Sequence, residues 1–346
     1  MAFLARLKAL RPDPFTLAII VVVMIASVLP ARGLMAEIIG YLVKLAIVVL
    51  FFLYGVRVPR EDMVANLTHW RLHAMITLCT FVLFPLLALL SGALVPHVLS
   101  HDLYVGIVFL SVLPSTLQAS IVFTSIADGN VPAAICSASL SSLLGVVLTP
   151  ALVALLLNKS GANVSFESIG SVAVQVLLPF VIGQLARPWL SGWANGNKAV
   201  LTFFDRASIL LMVYGAFSAA VVGGLWHRLG PTDFAIILAV DIILLAAVLV
   251  SNMQLARRAG FSRADEIAIV FCGSKKSLVV GLPMASVLFG GPAAGVIVIP
   301  LMVFHQVQLI ACAILARRYA AKQTLSSPSQ GHPAHAAVAV VESANG

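Results

Sequence analysis

Residues 271–281 read FCGSKKSLVVG. Lys275 and Lys276 stand side by side between two long apolar runs, and their placement decides how the chain is built. Of 346 residues, 61% are hydrophobic and 10% are charged, and mean hydropathy is +1.06. A soluble globular chain carries roughly 25% charged residues, so lipid is the main solvent here. The two lysines lie about a dozen residues beyond Arg263, where their span begins. At the helical rise of ~1.5 Å per residue, that is roughly 18 Å into the membrane. Snorkelling serves helix ends only, and a central charge costs ~3 kcal/mol on insertion scales. Each ammonium therefore needs a partner or water. Adjacent helical residues point about 100° apart, so the pair divides its tasks. One lysine faces a cavity; the other caps carbonyls or meets an acid at a break. The competing arrangement is a cytoplasmic re-entrant loop with solvated lysines.

Working outward, ten apolar runs reach or approach the roughly 20 residues a spanning helix needs. They cover residues 15–30, 38–56, 72–94, 103–126, 131–157, 167–190, 200–226, 232–255, 264–289 and 293–319. The runs are continuous rather than alternating, which excludes a β-barrel. The first run follows a basic segment, but no small-residue cleavage site ends it, so it reads as a retained helix. With the N-terminus cytoplasmic, fourteen basic residues fall in inside segments and three (Arg32, Lys159, Arg228) in outside loops. That bias predicts cytoplasmic ends and an even number of crossings. It also explains most of the net charge of +8 without nucleic acid. A re-entrant ninth segment would leave Arg317, Arg318 and Lys322 outside, against this bias. The expected fold is an all-α polytopic membrane protein. Its parts are a cytoplasmic N-terminus (1–13), a first five-helix repeat (14–157), a second of opposite sense (158–320), and a disordered cytoplasmic tail (321–346), rich in Ser, Pro and Ala.

The repeat is read from paired interruptions. The fourth span contains LPSTLQAS (113–120) and the ninth contains the KK stretch. Each breaks an apolar run with Pro or Gly among polar residues. Corresponding broken helices in two halves point to a transporter binding site. Candidate site residues are Ser115, Thr116, Gln118, Ser120 and Asn130 from the fourth span and its end. Ser137 and Ser139 follow in the fifth, and Gly273, Ser274, Lys275, Lys276 and Ser277 in the ninth. Candidate acidic partners for the lysines are Asp241, deep in the eighth span, and Glu266, which more simply favours a helix N-terminus. Lys44 in the second span can snorkel or pair. Cys79, Cys136, Cys272 and Cys312 lack metal-ligand spacing and read as small buried hydrophobes. PFVIGQLARP (179–188) and HQVQ (305–308) offer amides for bonding between helices. HExxH, Walker and GxSxG patterns are missing from the sequence, so an enzyme or an ATP-driven pump is not expected.

From residues 14 to 319 the chain resembles the bile acid:sodium symporter family, and is most similar to its divergent sodium bile acid cotransporter-like branch. The resemblance rests on ADEIAIVFCGSKKSLVVGLPMA (264–285), LPSTLQASIVFTSIADGN (113–130), LTP (148–150), PFVIGQLARP and RVPREDMVANLTHWRLH (57–73). It implies core and panel domains, spans four and nine unwound where they cross, and sodium-coupled uptake of an organic anion by alternating access. It also exposes a departure. Phe271 stands where sodium-coupled members have a glutamate, and lysine where they have a neutral amide. Ser120 matches a sodium-ligand serine, but Ile121 replaces its asparagine. Other ligand positions fall on Ala134 and Ala138. The sodium sites read as dismantled.

The expected function is secondary transport of a small organic anion across a bacterial inner membrane. A crossover ammonium would stand in for the bound cation, or would release and rebind a proton. The coupling ion is then H+ or Na+, with no other cofactor. A cation/proton antiporter and a non-transporting regulatory membrane protein are the competing readings. The first predicts sodium or potassium flux, and the second a protein partner with no solute dependence.

Overall fold

In the computed structural model the described residues are 14–57, 69–159, 173–289 and 291–326. All regular elements among them are helical. α1 is Pro14–Val28 and α2 is Leu34–Arg57. α3, Trp70–Leu94, contains a π-helical turn at Cys79–Leu83. α4 (His101–Ser111) and α5 (Leu117–Ile126) are two short apolar helices separated by residues 112–116, and α6 is Val131–Lys159. A π turn at Ala173–Leu177 leads into α7, Leu178–Gly196. Then come α8 (Lys198–Val222), the short α9 (Leu225–Arg228) and α10 (Pro231–Arg258). α11 (Arg263–Ser274) and α12 (Leu278–Leu288) are two halves of one candidate span, and α13 is Gly291–Ser326. Seven described helical segments are long and apolar enough to cross a bilayer, α11 with α12 being one of them.

The helices pack as two groups. α2 lies along α7, and α8 packs on α1 and α2. The other group gathers α3 to α6 with α10 to α13; α8 against α12 and α13 forms the main seam between the groups. The broken segment of α11 and α12 is the most buried of the seven described candidate spans. Every residue from Ile267 to Leu278 is buried, whereas α2 exposes Tyr41, Leu45 and Val48. Lipid-facing helices need no polar outer face, so exposed apolar side chains on α1, α2 and α7 belong to a membrane surface.

Two boundaries differ from expectation. α7 continues past Leu190 to Gly196, and α13 runs to Ser326, so the first residues assigned to the tail are helical. Helices need not stop at the hydrocarbon edge once their backbone is self-bonded. The N-terminal segment 1–13, most of the 57–73 motif, the start of the sixth run and the tail beyond Ser326 lie outside the described residues.

Candidate functional site: the helix crossover

Helix α4 ends because Pro114 has no N–H to extend it. Its last turn tightens, with Val112 and Leu113 amides reaching Phe109 and Leu110 carbonyls at 3.3 Å each. The carbonyls of residues 111 to 114 are then left over, at a depth where no lipid group can take them. All four find partners. Lys276 Nζ donates to the Ser111 carbonyl and to that of Leu113 (2.9 Å). Thr149 Oγ1 donates to the Val112 carbonyl at 2.8 Å, and the Ser277 amide to that of Pro114 at 2.9 Å. Pro114 itself packs on Gly145 of α6, where a Cβ would stand 2.6 Å from the Pro114 ring.

The third proton of the same ammonium goes to the Thr80 carbonyl, 2.8 Å away. The π turn explains why that oxygen is free. The Phe84 amide bonds back to the Cys79 carbonyl, five residues earlier. In that register the next donor would be residue 85, which is Pro85 and has no N–H. Lys276 thus spends its three donors on three carbonyls, one from α3, one from the last residue of α4 and one just beyond it. Its Nζ also lies 4.2 Å from the Phe84 ring centroid.

The second break is held from α13. Gln308 Oε1 accepts from the Lys276 amide (2.9 Å), and Gln308 Nε2 donates to the Lys276 carbonyl (3.0 Å). That Nε2 lies 2.9 Å from His305 Nδ1. Thr116 Oγ1 donates to the same Lys276 carbonyl at 2.8 Å. Ser277 caps α12 by accepting from the Val280 amide. Gly273 lets α10 approach: a Cβ there would sit 2.9 Å from Asn252 Nδ2 and 3.0 Å from Cys79 Cβ.

Lys275 is placed differently. It is 0% exposed, and its Nζ has no oxygen or nitrogen acceptor among the described residues, with the Cys312 thiol close by. The ammonium sits 3.9 Å from the Phe123 ring centroid and 5.5 Å from that of Phe271, a cation–π arrangement. The Cys312 and Cys272 thiols and the His305 ring are its ionisable neighbours.

Ser115, Thr116, Ser120, Lys275, Lys276 and Ser277 come together at the crossover. The Ser115 amide donates to Ser141 Oγ, and Ser115 and Ser120 hydroxyls are 3.2 Å apart. Ser274 turns its hydroxyl back to the Val270 carbonyl. Gln118 is exposed, away from the crossing. Ser137 is buried on α6, 2.7 Å from His73 Nδ1, and Ser139 is buried beside it in sequence. Asn130 belongs to the helix corner, bonding Asp265 at 2.8 Å and capping Ala133 at 3.0 Å.

The acidic partners need correction. Glu266 is held by Arg257, by Arg263 at 2.8 Å and by Tyr319, all near the start of α11. Asp241 is fully buried on α10, and neither of its carboxylate oxygens has a hydrogen-bond partner among the described residues. Among the described residues neither lysine forms an ion pair; main-chain carbonyls and aromatic faces surround them instead. Sequence reasoning also missed Asn252, a fully buried amide against Gly273, and gave Gln308 no place at the site. HQVQ was the only signal for Gln308.

Sodium needs a cage of oxygens. At the expected positions the Phe271 ring instead packs on Phe123 and Tyr319, and Ala134 and Ala138 offer methyls.

A family model described as the SBF-like CPA transporter family matches residues 13–321. Protein PA2026 of Pseudomonas aeruginosa is 52% identical over 90% of this chain and 94% of its own. YfeH of Escherichia coli (strain K12), named as a candidate symporter, is 51% identical over 89% and 92%. Sodium/bile acid cotransporter 7-B of Xenopus laevis is 30% identical over 89% and 92%.

Proposed function

As this chain belongs to the SBF-like CPA transporter family, it is a membrane transporter and not an enzyme, and we propose that it carries a small organic anion by alternating access. The proposal includes ten spans in two inverted five-helix repeats, residues 14–157 and 158–320, with both ends cytoplasmic in a bacterial inner membrane. Loop charge and the paired breaks in α4–α5 and α11–α12 support that arrangement. The names of the cotransporter relatives, which mention sodium and bile acid, favour an amphipathic anion as substrate.

One observation carries the coupling reading: the Lys276 ammonium is bound by three main-chain carbonyls where two broken helices meet. A tethered cation there offsets the carbonyl ends of α4, the task a diffusible cation would otherwise perform. Sodium is then not required at this site. Lys275, buried beside the Cys312 thiol and with no oxygen acceptor among the described residues, would be the group that takes up and releases a proton. A cation/proton antiporter is the second reading, favoured by the buried, unpartnered carboxylate of Asp241.

The test is uptake of cholate by proteoliposomes of the full chain under imposed gradients. Uptake is expected without sodium, driven by external acid, and lost in Lys275→Gln. Uptake that requires sodium and ignores Lys275→Gln overturns the coupling reading. Sodium or potassium flux without anion uptake favours the antiporter.

A further inference from the structure

Both crossover lysines are 0% exposed. Lys276 has no donor to spare, and Lys275 is roofed by Phe123. Neither can touch a substrate in this conformation. If the molecule selects anions, its substrate must meet positive charge elsewhere.

A cavity of about 350 Å³ lies between α2, α8 and the corner of α12 and α13, within the seam of the two helix groups. Its size falls within the range of small-molecule sites, roughly 300–1,000 Å³. Among its lining residues Lys44 is the only charged one. Lys44 is ten residues from Leu34 at the start of α2, about 15 Å along the helix. Its side chain is exposed, with Nζ 5.8 Å from the ring centroid of the exposed Tyr41; an ammonium there is costly against lipid but not against a wet cavity. Gln175, Ser218 and Ser286 add neutral polar groups, and the remaining wall is apolar, as at Val43 and Met212. Ser218 is 2% exposed, and its hydroxyl has no hydrogen-bond partner among the described residues. A buried hydroxyl left open beside a cavity fits a ligand atom as its missing partner.

We propose that Lys44, with Ser218, binds the head group of an amphipathic organic anion in this cavity, so that charge selection resides in α2 and not at the crossover. The inference rests on the transport reading above. It also narrows the substrate class. One ammonium with three neutral polar neighbours matches a single negative charge; a second charge would lie uncompensated against an apolar wall. Gly40, one turn before Lys44 on α2, supplies room for the ligand body. Gly40 lines the cavity, and a Cβ built there meets nothing within 4 Å.

The experiment measures binding of radiolabelled cholate, and of its uncharged methyl ester, to the full chain in lipid nanodiscs. Lys44→Gln is expected to weaken cholate about tenfold to a hundredfold, the worth of one charge-assisted hydrogen bond, and to leave the ester unchanged. Lys44→Arg should retain cholate binding. Gly40→Leu should weaken acid and ester alike, with an unchanged melting temperature. Equal cholate binding by wild type and Lys44→Gln overturns the proposal, as does wild-type protein that binds the ester as tightly as the acid, or neither. Failure of the transport reading looks different: cholate binds and depends on Lys44, yet no variant or wild type accumulates it in proteoliposomes.

Discussion

Adjacent lysines at one depth face opposite fates on substitution. Lys276 satisfies three buried carbonyls. Lys276→Met would keep the volume and strand those oxygens, at about 1–3 kcal/mol each before relaxation. Lys275→Met replaces an ammonium without an oxygen acceptor among the described residues by an apolar chain of similar length, against the rings of Phe123 and Phe271. Removing a buried unpaired charge is neutral or stabilising, less the cation–π attraction. Melting of the two variants in detergent should therefore diverge, with Lys276→Met lower by many degrees or unable to fold and Lys275→Met near wild type. Equal losses would mean that the carbonyl cage does not hold the crossover together. The sequence made the divergence of the pair legible, since adjacent helical residues point about 100° apart, and Lys276 caps carbonyls as one of the two was expected to. The cavity-facing role expected of the other is not seen, because Lys275 is 0% exposed between aromatic rings. It did not identify the partners. Thr80 lies 196 residues from Lys276, and its free carbonyl depends on the register of another helix. An acid was the expected counter-group because short patterns display side chains, whereas the acceptors here are main chain.

Pro85 shows the same dependence between elements. In an exposed helix interior, proline costs about 3 kcal/mol relative to alanine, so Pro→Ala normally stabilises. Pro188 in α7 is exposed and should behave that way. Pro85→Ala should not. It restores an N–H that can claim the Thr80 carbonyl in the π register, or let α3 revert to α geometry, and either change takes an acceptor from Lys276. The expected result is a higher melting temperature for Pro188→Ala and a lower or unchanged one for Pro85→Ala. A clear rise for both would show that the π turn is incidental. Both broken spans were legible as elements, because Pro114, Gly273 and polar runs interrupt apolar sequence. The π turn in α3 was not: FVLFPLL reads as ordinary apolar helix with one proline.

On the alternating-access reading proposed above, two helix groups must shift along a seam, and the packing of α8 against α12 and α13 would supply it. It is built from small residues, as close helix approach in lipid requires. A Cβ at Gly295 of α13 would overlap the Ala220 methyl and stand 2.7 Å from the Ala216 carbonyl oxygen, both on α8. Ion pairs, by contrast, hold helices within a group: Arg57 on α2 reaches Asp205 on α8, and Arg257 on α10 reaches Glu266 on α11. Gly295→Ala should therefore act on motion more than on either group. Overpacking of this kind costs about 1–3 kcal/mol when the neighbours cannot yield. Here part of the strain can be relieved by parting the groups, which biases the molecule toward one access state. The initial rate of anion uptake should fall several-fold in Gly295→Ala while the melting temperature drops by only a few degrees. Ala220→Gly in the same chain removes the methyl overlap and leaves the Ala216 contact, so it should restore part of the rate and not all of it. A single variant with normal uptake, or a double variant with no recovery, would place the moving boundary somewhere other than between α8 and α13.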